Sequence, residues 1–226
     1  ADGWIFVAEG NPPTDAFPGP LLIAQPFRHA HIDGSVRAGL GDDAENILDT
    51  THTCVVHDGY LRQAGGRRPV EAVLESGDGW VSATYPPHAA PGGWGARLLG
   101  AHRFAICDRF RPPAIAEISY TDNDKPVFAA RFHLAPITPT ETYIAATIAV
   151  PGRSPVASLK LAALRLFFQR IFAEDRAILE LIGANRAVHG GTPLVYTPQD
   201  LLRPGIDAIL AGRSPLVSAS RKALKV

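Results

Sequence analysis

The sequence predicts an α+β domain in which a curved antiparallel sheet wraps a long C-terminal helix. Three observations carry this. Segments with strand character follow one another between residues 70 and 150, joined by turn signals rather than helices. One long helical stretch, over residues 156–188, follows them. The order is therefore strand, helix, several strands, long helix, not the βαβ alternation of a doubly wound sheet.

The elements read in order as follows. Residues 4–8 (WIFVA) are a short strand, and residues 10–20 (GNPPTDAFPGP) hold too much proline and glycine to be anything but loop. A strand over residues 21–30 comes next, with Pro26 marking an edge or a bulge. In residues 39–57 (GLGDDAENILDTTHTCVVH), Asp42 or Asp43 can N-cap a helix whose first turn holds Glu45. Residues 70–76 and 80–85 form a hairpin across the turn-rich SGDG, and residues 86–96 read as loop. Strands follow at 103–110, 114–120, 127–134 and 143–150, with TDNDKP (121–126) as a hairpin turn. Pro155 sits in the first turn of the long helix, Ser154 and Ser158 suit capping, and Gly190-Gly191 end it. The tail is peripheral, with a short helix at 204–210. A sheet gripping a helix leaves a cavity suited to a small apolar ligand.

The chain has 226 residues, enough for one large domain, and 46% are hydrophobic, enough to build a core. Basic and acidic residues number 22 each, so no basic excess recommends a nucleic acid or a membrane surface as partner. Two cysteines, Cys54 and Cys107, exclude a disulfide scaffold, a four-cysteine zinc site and a four-cysteine iron–sulfur cluster. No signal-peptide pattern or membrane-length apolar run is present, so a cytoplasmic protein is expected. There is no methionine, even at position 1, and the opening ADGWIFVAEG reads as the middle of a longer protein.

The chemistry concentrates in Asp49-Thr-Thr-His52-Thr-Cys-Val-Val-His57. Neutral imidazoles bind first-row divalent metals, and a nearby carboxylate can orient them. A spacing of five puts the two rings about 140° apart on a regular helix. They converge only if the helix stops between them or distorts, for example by a π-type turn near residues 54–56. By themselves the two read as ordinary surface or core histidines. The long helix adds a second observation. With Asp175 at 0°, Leu164, Phe168, Ile171, Phe172, Ile178, Leu179 and Ile182 all fall within about 60° of it. Arg170, Glu174, Arg176 and Glu180 lie at about 100° or more, on the wet face. A carboxylate in an apolar stripe needs a partner, either a metal or a structural salt bridge. Two histidines and a carboxylate are the ligand set of the facial triad, which leaves positions open on a non-heme Fe(II). The same triad could serve a zinc or iron hydrolase, but the H-E-x-x-H spacing of zincins is absent.

The segment AENILDTTHTCVVHDGYLR resembles the mononuclear-iron motif of Rieske-type non-heme iron oxygenases, above all the vanillate O-demethylase and phthalate dioxygenase group. The family pattern D-x-x-H-x4-H matches at Asp49, His52 and His57. Its third ligand, an aspartate in an E-D context on the long helix, matches at Glu174-Asp175, and DGWIFVAEG resembles the strand after the Rieske domain. The resemblance implies a helix-grip, START-like fold over residues 1–226. It implies Fe(2+) held by His52, His57 and Asp175, with Asn46 approaching the iron. It also implies that Asp49 carries electrons from a Rieske [2Fe-2S] centre on a neighbouring subunit of a homotrimer. The expected reaction is O2-dependent hydroxylation or oxidative demethylation of an aromatic or apolar ring, beside pocket residues such as Phe168 and Phe172. The family's Rieske ligands are a C-x-H and a C-x2-H pair. Cys54 and His57 have the second spacing, but His57 is claimed by the iron motif and no C-x-H is present. The cluster is therefore expected on another domain or chain, with electrons supplied by ferredoxin and reductase.

Other candidates are weaker. His29 and His31 share one strand face without a carboxylate and read as surface. His133 shares the face of Arg131 and reads as structural. His88, His102 and His189 read as surface residues, and Cys54 as a small buried filler. The competing class is a START-like binding module for a hydrophobic ligand, with no redox role.

Overall fold

The computed structural model describes residues 4–5, 26–60, 69–89, 94–99, 103–190, 195–215 and 220–225. Strand β1 (Phe27–Val36) leads into helix α1 (Leu40–Leu48). A hairpin, β2 (Pro69–Gly77) and β3 (Trp80–Ala89), is followed by the short helix α2 (Trp94–Leu99). Strands β4 (Arg103–Arg111), β5 (Ile115–Asp122), β6 (Lys125–Thr138) and β7 (Glu141–Pro151) then run as a meander into helix α3 (Pro155–Val188). Helix α4 (Arg203–Leu210) and strand β8 (Ser220–Lys225) come last. The strands form one sheet in the order β1-β7-β6-β5-β4-β3-β2-β8, and every neighbouring pair is antiparallel.

Period-two burial makes the sheet one-sided where the cavity lies. In β4, Phe104, Ile106, Asp108 and Phe110 are buried and alternate with more exposed neighbours. The β5–β6 turn places Asn123 and Asp124 at φ 48° and 61°, the left-handed pair that a two-residue hairpin turn needs. The Ser154 hydroxyl caps α3 by accepting from the Ala157 N–H at 3.2 Å, and Pro155 follows it. Ala157, Leu161, Leu164, Phe167, Ile171 and Leu179 recur at helical spacing and bury α3 against the sheet.

Several boundaries differ from the expectation. The strand expected at 21–30 runs over Phe27–Val36, and residues 21–25 lie outside the described set. Of the strand at 4–8 only residues 4 and 5 are described, in no regular element, and the loop at 10–20 and His102 are outside the set. Helix α1 starts earlier than an Asp42 or Asp43 cap allows. The Asp42 and Asp43 N–H groups both bond the Gly39 carbonyl, so Gly39 is the cap and both aspartates lie in the first turn. The stretch 86–96 is not all loop, because β3 continues to Ala89 and α2 begins at Trp94. The tail is not peripheral: β8 pairs with β2 from Pro69↔Lys225 to Leu74↔Ser220 and closes that edge. No helix among the described residues is long and apolar enough to cross a membrane.

Candidate metal centre and substrate cavity

The two histidines converge because α1 stops. Asp49 leaves the helix with extended backbone (φ −86°, ψ 107°) while its N–H still bonds the Glu45 carbonyl. Its carboxylate then accepts from the Thr51 N–H (2.7 Å), the Thr51 hydroxyl (2.9 Å) and the His52 N–H (3.2 Å). Those bonds start a 3₁₀ turn over His52–Cys54. The distortion is thus a helix stop before His52 followed by a 3₁₀ turn, not a π-type turn at 54–56. Cys54 is a buried filler whose thiol bonds the Thr51 carbonyl at 3.2 Å.

The His52 and His57 Nε2 atoms stand 3.3 Å apart, with the rings tilted by 76°. Asp175, from the middle of α3, brings Oδ1 to 2.9 Å from His57 Nε2 and 3.5 Å from His52 Nε2. Despite these short distances, Asp175 Oδ1 is buried and accepts no aligned hydrogen bond among the described residues. Three ligand atoms of the right chemical type, all within 4.8 Å of one another, fit a first-row divalent cation such as Fe(II). His52 and Asp175 are each partly exposed and His57 is fully buried.

Glu174 was expected on the wet face of α3 but turns back. Its Oε2 accepts from His57 Nδ1–H at 2.9 Å, while Oε1 accepts from Arg170 Nε at 2.8 Å. The angular projection places its Cα at the border of the buried stripe, and the two-methylene arm covers the remaining distance. This bond fixes the tautomer that leaves His57 Nε2 free for a metal. Arg176, also expected in water, stacks its guanidinium 4.9 Å from the Phe172 ring and lines the cavity. Ile178 and Ile182, expected in the buried stripe, are each 39% exposed, because that end of α3 is less covered.

Without a metal the cluster is an ion-pair network. Burial pulls the His52 imidazole down, but Asp175 and Asp49 outweigh it and hold the group at about 9. Burial raises the Asp175 carboxyl, and His52 and His57 more than reverse this, to about 2. Asp49 is likewise held below the usual range: burial opposes it, but His52 and the Thr51 donors prevail.

The cluster opens on a cavity of about 130 Å³ between the sheet, α1 and α3. Asp49, His52, His57 and Asp175 all line it, as do Asn46, Phe168 and Phe172. Phe168 stacks on Phe128 from β6 at 5.1 Å, which fixes one aromatic wall. His29 and His31 lie together on β1 with centroids 5.2 Å apart, away from this cavity, and His133 does not line it.

Residues 43–208 match the family model described as the vanillate O-demethylase oxygenase C-terminal domain. The chain belongs to that family. No match is found among curated protein sequences. Solved structures of Rieske oxygenases share the helix-grip fold of this oxygenase domain. Dicamba monooxygenase bound to dicamba superposes with a TM-score of 0.67 at 15% identity, over 89% of this chain and 63% of that one. A mutant of NdmA from Pseudomonas putida CBB5, with caffeine, gives 0.62 at 15% identity, over 87% of this chain and 54% of that one. The quaternary ammonium Rieske monooxygenase CntA gives 0.54 at 12% identity, over 73% and 41%. The oxygenase domain thus spans under two thirds of these relatives' length.

Proposed function

We propose that this domain is the catalytic half of a Rieske-type oxygenase that hydroxylates or oxidatively demethylates an aromatic or other apolar ring substrate. The observation that carries this reading is the convergence of His52 Nε2, His57 Nε2 and Asp175 Oδ1 at the wall of an aromatic cavity. These three residues would hold iron, which as Fe(2+) would supply O2 activation. Glu174 keeps His57 in the metal-binding tautomer. Phe168 and Phe172 orient a flat ring and keep water from it. Asp49 sits 3.8 Å from His52 Nδ1 and remains partly open to solvent, a position from which it can link the cluster to a partner. In this reading the partner is a neighbouring subunit of a homotrimer whose [2Fe-2S] centre, fed by ferredoxin and reductase, supplies electrons.

The relatives named above support the substrate class. Dicamba monooxygenase holds dicamba and the NdmA mutant holds caffeine, both small ring compounds. The test is substrate turnover by the iron-loaded domain joined to its Rieske partner. O2 uptake that matches loss of a methyl group or gain of a hydroxyl is expected. Metal-free protein that binds hydrophobic dyes and never takes up iron contradicts the reading and favours the binding module.

A further inference from the structure

The polar groups of the cavity wall are not confined to the metal end. Asp43 lies in the first turn of α1, at the other end of that helix from the His52–His57 turn. It is fully buried and lines the same cavity, whose wall also includes apolar residues such as Val36 and Ile144. Neither carboxyl oxygen has a hydrogen-bond partner among the described residues. One candidate donor, the Thr142 hydroxyl, gives its proton to the Ala38 carbonyl at 3.1 Å. The nearby buried cation, Arg203, is spent on Asp42, Glu45 and Asp207. Its neighbour Asp42 also pairs with Arg186. Burial raises the Asp43 carboxyl to about 7, with the Thr142 hydroxyl opposing and the charges of Asp42 and Asp175 adding to the rise. A carboxyl group left like this in an apolar wall is costly unless an occupant satisfies it.

We propose that Asp43 is a specificity-determining residue that accepts a hydrogen bond from a hydroxyl or N–H group on the ring substrate. This rests on reading the cavity as the substrate site. A ring held with its reacting substituent at the His52–His57 end then presents its opposite end to Asp43. The favoured substrates are rings carrying a donor group remote from the carbon that is oxidised.

The probes are toluene and 4-methylphenol, which differ by one hydroxyl, titrated calorimetrically into the full chain. The measured quantity is the ratio of their affinities in wild type, Asp43→Leu and Asp43→Asn. Relative to wild type, Asp43→Leu is expected to lower the 4-methylphenol preference about tenfold while keeping toluene binding, and Asp43→Asn to lower it less. A change below about threefold in Asp43→Leu overturns the proposal. So does a melting temperature for Asp43→Leu well below wild type, or failure to fold, because the carboxyl then has an internal structural partner. If wild type binds neither probe, the cavity is not a ligand site and the proposal falls with the functional reading. Bound toluene with an unmoved ratio removes only the role of Asp43.

Discussion

Replacing Glu174 by alanine removes the only acceptor found for His57 Nδ1–H among the described residues. His57 is fully buried, so no water is available to replace the 2.9 Å bond. Two effects add. The ring loses the carboxylate that holds its tautomer, and a buried donor goes unsatisfied at about 1–3 kcal/mol. Loss of such an outer partner of a metal-bound histidine typically costs about 10–100-fold in metal affinity. At about 1.4 kcal/mol per factor of ten, the two ranges agree. Glu174→Gln keeps an acceptor without its charge, so a smaller loss is expected. The assay is competitive titration with Fe(II) under anaerobic conditions, or with Co(II) as a stable substitute. Wild type, Gln and Ala should fall in that order of affinity. Equal affinity in all three refutes the claim that Glu174 acts through His57 on a metal.

Arg203 is buried beneath α1 and bonds Asp42 at 2.9 Å, Glu45 at 2.7 Å and Asp207 at 2.9 Å. Arg203→Leu leaves Glu45 and Asp207 without this partner and Asp42 with Arg186 alone, and should destabilise the domain by about 3–5 kcal/mol in urea unfolding. Asp43, raised to about 7 against 3.8 unfolded, makes the native state lose stability as pH rises from about 4 to 7. The loss is at most about 4 kcal/mol, and Asp43→Asn should remove that part of the pH profile. In metal-free protein, the His52 pKa of about 9 means that its pairing stabilises the fold below pH 6.5 and is lost as pH passes 9. Metal binding at pH 7 should therefore release about one proton, measurable from calorimetric heats in buffers of different ionisation enthalpy.

Local patterns were legible and distant pairings were not. The β2–β3 hairpin and the turn at Asn123-Asp124 are written in contiguous alternation and turn residues. Strand β8 is a polar stretch, SRKALK, whose strand state depends on an edge roughly 150 residues earlier, so nothing local announces it. The far end of β1, residues 31–36, is not legible because HIDGSV is polar and half-buried, and its strand state depends on pairing with β7. At the site, helical phase marks Asp175 as a carboxylate in an apolar stripe, while the link to His52 and His57 comes from the family resemblance, because a spacing of five does not by itself bring two rings together. Glu174, Arg176 and Asp43 were not read as site residues. A helical wheel treats side chains as spokes, whereas Glu174 and Arg176 bend around the helix to reach the cavity. Asp43 looked like a helix cap, and only the earlier start at Gly39 turns it inward. Two neighbouring acids followed by a helical segment did not show which one faces in.

Iron analysis of purified wild-type, His52→Ala and Asp175→Ala protein, each reconstituted anaerobically with Fe(II), tests the central claim most directly. About one iron per chain in wild type, with the metal lost from both variants while the fold persists, is the predicted result. Iron retained in both variants, or absent from folded wild-type protein, contradicts it.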